Sequence, residues 1–375
     1  MSSQYKIIIS SPCFHGSGGV ANYYRSLLPY LNNDHVDINY FEAGSVKGNG
    51  RLAHIITDQL RFNKLIKKEY IHLVHFNPSL NLKSFIRDGL FILQAKRKSL
   101  PVIVFFRGWD ESFAQYISSY FLKFFKSSYG KADAFIVLAS DFKKTLCNWG
   151  ITAPIYLQTT AVDPALLDGF DIEHKVLNLI NNTSLSILFL ARIEKAKGVF
   201  ETVDAIKCLI GKGLQIKLSI AGDGPALEKL QSYVQDLGLP SGTIKFLGYV
   251  RDNDKAVAFN EHDIYCFPTY YGEGMPNSVL EALAFGMPVI TCPVGGLVDI
   301  FQDGKMGALV PPNNIQAITE KIQTFAYDRE YLARVARFNH TYAIEHFMAP
   351  KVARDLLDIY HKTLETSKNG RLLNC

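Results

Sequence analysis

Short apolar runs alternating with stretches of helical length constrain this chain more than any other feature. They fall at residues 7–10, 73–76, 102–106, 134–138, 186–190, 216–221, 244–247, 264–267 and 289–291. Runs of this length read as strands, and amphipathic helices between them allow neighbouring strands to run parallel with both sheet faces covered. The runs form two series, parted by a less periodic region at 159–182 that carries Pro164, Gly169 and the pair Asn181-Asn182. Two α/β domains are therefore expected, with the boundary in that region. At 375 residues and 48% hydrophobic content the chain is large enough for two cores. No repeat of solenoid length and no low-complexity segment competes with this reading. The helical spacing of Leu356, Leu357, Ile359, Tyr360 and Leu364 predicts a last helix packed on a domain surface.

Several classes are set aside early. No run approaches the roughly 18 apolar residues of a spanning helix. The opening run ends in Ser-Ser-Pro and reads as a buried first strand rather than a signal peptide. Cys13, Cys147, Cys208, Cys266, Cys292 and Cys375 are scattered without a CxxC pair, which points to neither a disulfide framework nor a zinc site. A reducing cytoplasm is the expected compartment. Residues 1–165 carry 19 Lys and Arg against 11 Asp and Glu, whereas the remainder carries 21 against 24. A basic first half suits nucleic acid, an anionic membrane or an acidic ligand, or is simply a solvated face.

Four constellations carry possible chemistry. Between Pro268 and Gly286, Glu273 lies in a Gly-flanked loop and Pro276-Asn277-Ser278 offers a helix start, with Glu281 early in that helix. A helix N-terminus facing a ligand suits an anion such as a diphosphate. Arg192 and Lys197 follow the first strand of the second series, at the sheet edge where open α/β folds bind ligands. Arg192 is suited to gripping phosphate through two parallel N–H bonds, and Lys197 adds a point charge; a basic surface loop is the plainer alternative. Gly222-Asp223-Gly224-Pro225 also joins a strand to a helix, with Asp223 as a cap, Pro225 at the first helical position, and glycines that admit a ligand closely. Finally, His15-Gly16-Ser17-Gly18-Gly19 follows the first strand, without the spacing of a dinucleotide fingerprint or a P-loop. Asp252-Asn253-Asp254 has the outline of a metal-binding pair but reads better as a polar turn.

In combination, Arg192…Lys197-Gly198, Gly222–Pro225, Phe246-Leu247-Gly248, Gly272-Glu273-Gly274…Glu281, Gly286-Met287-Pro288 and Gly295-Gly296 closely resemble the nucleotide-sugar half of glycosyltransferase family 4. The resemblance spans roughly 185–312; residues 5–30 and 133–145 resemble the acceptor half more loosely. It implies the GT-B fold: two Rossmann-like domains facing a cleft, the last helix crossing back to the first domain. Residues 1–165 with 351–375 would bind acceptor, and 166–350 donor. The implied activity is retaining, metal-independent transfer of a hexose-type sugar from a UDP- or GDP-sugar to a glycan or lipid-linked acceptor, in bacterial surface polysaccharide assembly. No cofactor and no nucleic-acid partner are implied.

Residue by residue, the resemblance implies that Arg192 and Lys197 neutralise the diphosphate, and that Glu273 contacts the transferred sugar. Gly274, Met275, Pro276 and Asn277 would help hold sugar and phosphate, Glu281 would accept from ribose hydroxyls, and Tyr249 and Val250 would border the base. Gly18, Gly19 and Gly222 are also expected to approach the donor. Front-face departure would leave Glu273 a positioning role, although its spacing from Glu281 also admits a carboxylate nucleophile. A sugar-nucleotide epimerase and a non-catalytic binding subunit are the rival readings.

The chain departs from the family where a His-Gly or His-Asp is usual: it reads Arg107-Gly108-Trp109-Asp110. Arg107 stays charged and cannot act as a base. His15, Arg107 and Asp110 are assigned to the acceptor or sugar side, against the alternative that Arg107 pairs with Asp110 or Glu111. Tyr116, Tyr120, Phe121, Lys123, Phe124, Phe125, Lys126, Tyr129 and Lys131 mix aromatic and basic residues at helical spacing, which suits a core helix or one lying on an anionic membrane at the inner face of the plasma membrane.

Overall fold

The computed structural model describes residues 4–11, 19–44, 51–272 and 274–372. Two compact units emerge. One comprises the chain up to Ala161, the short segment Gly272–Met275 and the chain from Ala349; the other comprises Val162–Tyr271 and Pro276–Met348.

The first unit holds six strands, β1 (Tyr5–Ser11), β2 (Val36–Glu42), β3 (Leu73–Phe76), β4 (Val102–Phe106), β5 (Ala134–Val137) and β6 (Ile155–Leu157). They form one sheet in the order β2-β1-β3-β4-β5-β6, and each neighbouring pair is parallel. Every residue of β3, β4 and β5 is buried, as strands covered on both faces require. Connections run one way from β1 to β2 and the other way through β3 to β6, so the order reverses between β1 and β3. The last helix, Ala349–Leu372, belongs to this unit and packs on the helix Gly19–Leu31. It buries Leu356, Ile359, Tyr360 and Leu364, and Tyr360 Oη lies 2.7 Å from Nδ1 of His75.

The aromatic stretch after residue 116 is divided between core and surface. Phe125 and Tyr129 stack with Phe85 inside the unit, whereas Tyr116 and Tyr120 are 45% and 74% exposed. A π-helical turn at Ile117–Phe121 separates the helices Glu111–Tyr116 and Leu122–Ser128, so one straight apolar stripe does not form. Among the described residues no helix is long and apolar enough to cross a membrane.

The second unit contains β7 (Leu185–Leu190), β8 (Ile216–Ala221), β9 (Ile244–Gly248), β10 (Ile264–Phe267), β11 (Val289–Thr291) and β12 (Gly307–Leu309). Their order is β12-β11-β10-β7-β8-β9, again with parallel neighbours. This is the doubly wound order, and its switch point lies between β7 and β10. The outer strands β2, β6 and β12 do not stand out as apolar runs in the sequence. All three lie at a sheet edge, where a strand has one paired side and less reason to be uniformly apolar.

Candidate active site

The second unit brings its basic loop to the switch point. Arg192 follows β7 and is exposed; its Nε lies 3.1 Å from Glu194 Oε1. With the arginine side chain 69% exposed, such a pair is worth at most about 1 kcal/mol, so a diphosphate can displace it readily. Lys197 closes a single 3-10 turn, Lys195–Lys197, and its Nζ sits 4.2 Å from the ring centroid of Tyr271. The turn ends at Gly198 in left-handed conformation, φ 81°, where a Cβ would stand 2.4 Å from the carbonyl oxygen of Pro268. Tyr270 N and Thr269 Oγ1 both donate to Ala196 O, so the basic loop is fastened to the chain leaving β10.

Across the same switch point, the helix Asn277–Ala284 begins after Pro276 with no side-chain cap on its first N–H groups. Asn277 thus occupies the first helical position without capping it. Tyr265 Oη donates to Leu190 O at 2.8 Å and is 2.7 Å from Ser278 Oγ, tying the end of β7 to the start of this helix. The helix closes in a Schellman arrangement: Gly286 N donates to Leu283 O and Met287 N to Ala282 O, with Gly286 at φ 67°. Glu281 is 7% exposed and its Oε1 accepts from Lys255 Nζ at 2.7 Å. Lys255, on the helix Asp252–Glu261, was not anticipated, because nothing local in the sequence links it to Glu281.

The glycines of the 222–225 loop are required by the packing of the backbone around them. A Cβ at Gly222, φ 139°, would fall 1.9 Å from Ala191 O, and one at Gly224 would fall 2.4 Å from Ile193 O. The close approach they permit includes one to the backbone of the arginine loop. Ile193 N donates to Asp223 O and Ala226 N to Ile193 O, completing the clasp. Asp223 accepts from Gly224 N and leaves the helix Leu227–Asp236 uncapped, two residues beyond Pro225. Asp252 and Asp254 stand in the first turn of the helix Asp252–Glu261 rather than in a turn, where carboxylates complement the helix dipole. Among the described residues no group of three or more His, Cys, Asp or Glu gathers as a metal site. Tyr249, 67% exposed, and Val250 follow β9 at this same sheet edge.

In the first unit, Arg107 and Asp110 follow β4. Asp110 caps the helix Glu111–Tyr116 through Phe113 N at 2.7 Å, and Glu111 accepts from Trp109 Nε1 at 3.0 Å. Neither pairs with Arg107. The guanidinium of Arg107 lies instead over the rings of Tyr23 and Phe105, 3.9 and 4.7 Å from their centroids. Met275 is buried, and a Cβ at Gly274 would meet Leu138 Cδ1 at 2.8 Å and Arg107 O at 3.1 Å. Gly19 opens its helix with free space where a Cβ would be. His15, Gly18 and Glu273 lie outside the described residues.

Comparison with known proteins agrees with this architecture. Residues 171–340 match the family described as Glycosyl transferases group 1. The capsular polysaccharide biosynthesis glycosyltransferase CapM of Staphylococcus aureus is 26% identical over 234 residues, 62% of this chain and 59% of CapM. The chain thus spans less than two thirds of the length of that relative. Sucrose-phosphate synthase from Thermosynechococcus elongatus superposes with a TM-score of 0.74 at 17% identity, covering 97% of this chain and 100% of that one. HepE of Anabaena, determined in complex with UDP-glucose, gives a TM-score of 0.69 at 16% identity over 95% and 99% of the two chains. The two doubly wound sheets and the structural neighbours give this chain the GT-B fold, and its second unit carries the match to the group 1 glycosyl transferases.

Proposed function

We propose that the protein is a retaining hexosyltransferase that uses a UDP- or GDP-sugar and extends a glycan or lipid-linked acceptor in bacterial surface polysaccharide assembly. The observation that carries this reading is the convergence of Arg192, Lys197 and the uncapped helix start at Asn277 on one switch point. Cations and helix N–H groups aimed at one place stabilise a diphosphate, and they stabilise it more as the glycosidic bond lengthens and negative charge collects on the leaving nucleotide. That arrangement performs the charge neutralisation that a divalent ion performs in other transferases, so transfer is expected to proceed without added metal. Glu281, held by Lys255, is oriented to accept from ribose hydroxyls, and Tyr249 with Val250 borders the base. Glu273, Gly274, Met275 and Pro276 hold the transferred sugar. CapM, named for capsular polysaccharide synthesis, and HepE with bound UDP-glucose support the pathway and donor class.

Membrane contact belongs to the same reading. The basic first half, with exposed Tyr116 and Tyr120 beside Lys123, and Leu60 beside Lys64, Lys67 and Lys68, suits association with anionic lipid, where lipid-linked acceptors reside. The test of the proposed activity is Glu273→Ala assayed for transfer and for nucleotide binding. Transfer should be abolished with UDP or GDP affinity retained; an equal loss of nucleotide affinity assigns Glu273 to the nucleotide instead.

A further inference from the structure

Among the described residues Arg107 is a buried cation without a counter-charge. The residue is 9% exposed, and its Nε and Nη1 are sealed from solvent with no hydrogen-bond partner among the described residues. The carboxylates nearest in sequence are occupied elsewhere, Asp110 as a helix cap and Glu111 on Trp109. Asp355, on the last helix, is tied to Lys351 at 2.6 Å. His75, close enough to feel the arginine's charge, is held neutral with its pKa pushed down to about 3, chiefly by burial and then by Arg107. What remains is the pair of aromatic faces of Tyr23 and Phe105. Cation–π contacts offset only a part of what burying an unpaired ion costs. The packing alone does not compensate this guanidinium.

Its position adds a second argument. Arg107 is the first residue beyond β4, at the carboxyl edge where open α/β sheets take their ligands. Its carbonyl oxygen lies against Gly274, the residue after Glu273. We propose that Arg107 is the anchor of an anion site in the first unit, and that the ligand it takes is the carboxylate or phosphate of an acidic sugar. Resting on the transferase reading, this makes the acceptor an anionic glycan, with its acid group seated on Arg107 and a hydroxyl left free to be glycosylated.

Calorimetric titration of the full chain, with the donor edge saturated by UDP or by GDP, tests it with three probes: D-glucuronate, inorganic phosphate and neutral glucose. Glucuronate or phosphate should bind in preference to glucose, and whichever binds distinguishes a uronic acid from a phosphate ester. Arg107→Met should weaken that binding at least about tenfold, as expected for losing hydrogen bonds to a charged group, and Arg107→Lys should weaken it less. Without ligand, Arg107→Met should melt at or above the temperature of the parent, because an apolar isostere removes a buried unpaired charge. No preference for the anions, or equal affinity in Arg107→Met, overturns the site. A large fall in the melting temperature of Arg107→Met, with anion binding unchanged in that variant while folded, makes the residue purely structural. If neither nucleotide binds, the transferase reading fails, while the comparison of anions with glucose still decides the role of Arg107.

Discussion

Each unit buries a cation that no carboxylate pairs with among the described residues, and the two are resolved in opposite ways. Lys175, in the helix Ile172–Asn181, directs Nζ to Phe259 O at 2.7 Å and Asn260 O at 3.3 Å, the last-turn carbonyls of the helix Asp252–Glu261. Burial pushes its pKa down to about 7, with Asp263 pulling the other way, so near neutrality the amine gives up much of its charge. Arg107 has neither outlet: a guanidinium keeps its proton, and no carbonyl faces Nε or Nη1. A buried cation with a satisfied, adjustable charge joins two helices. A buried cation with a fixed, unsatisfied charge awaits a ligand. The exposed Arg192 and the half-buried Lys197 form a third category, with charges that are not sealed inside the fold.

These categories separate under mutation. The largest effect is expected at the loop cations: Arg192→Ala or Lys197→Ala should lower the transfer rate by about a hundredfold to a thousandfold, about 2.7–4 kcal/mol in the transition state, with thermal melting close to the parent. Steady-state kinetics beside a melting curve checks both halves, and a large loss of stability would move these residues into the structural category. Next comes Glu281→Ala, which leaves Lys255 half-buried without its partner. Unfolding in urea should show a loss of about 2 kcal/mol or more, together with weaker nucleotide binding. Unchanged stability would show that the Lys255 ammonium finds water easily.

The effect with the smallest slope at any one pH is a dependence of stability on pH. The folded state takes up the Lys175 proton only below about 7, whereas the unfolded chain takes it up below its ordinary value of 10.5. The unfolded state therefore binds more protons across that window, and stability rises with pH through it, by at most roughly 1.4 kcal/mol per unit. The contribution is fully present above 10.5 and is lost as pH falls toward 7. Lys175→Met should flatten that slope in urea titrations between pH 7 and 10; a mutant with the parent's slope would place the titrating group elsewhere.

The sequence made the interior of the fold visible and left its margins obscure. Central strands such as β4 are buried at every position and announce themselves as apolar runs, while edge strands such as Val36–Glu42 mix Asp37, Asn39 and Glu42 with their apolar residues. In the site, Arg192 and Lys197 were legible because they lie on one short loop whose spacing survives in the linear order. Tyr265 and Lys255 were not, since their partners stand 13 to 75 and 26 positions away. The need for close approach at the glycines 222 and 224 is legible in the sequence, but their backbone neighbours are not, because only the sheet order brings Ala191 and Ile193 beside them. Arg107 shows the converse. Its residue type marked it as unusual, but only the packing of Tyr23 and Phe105 shows that its charge is sealed in.

The contact of Gly222 with Ala191 sets a boundary on how this edge can vary. Backbone meets backbone there with no room for even a methyl group, and the same holds for Gly224 against Ile193 and Gly198 against Pro268. Under the proposed function, changes of nucleotide preference would therefore have to come from positions such as Tyr249 and Val250, or from the length of the loops beyond. The three glycines set the frame within which such specificity can diversify.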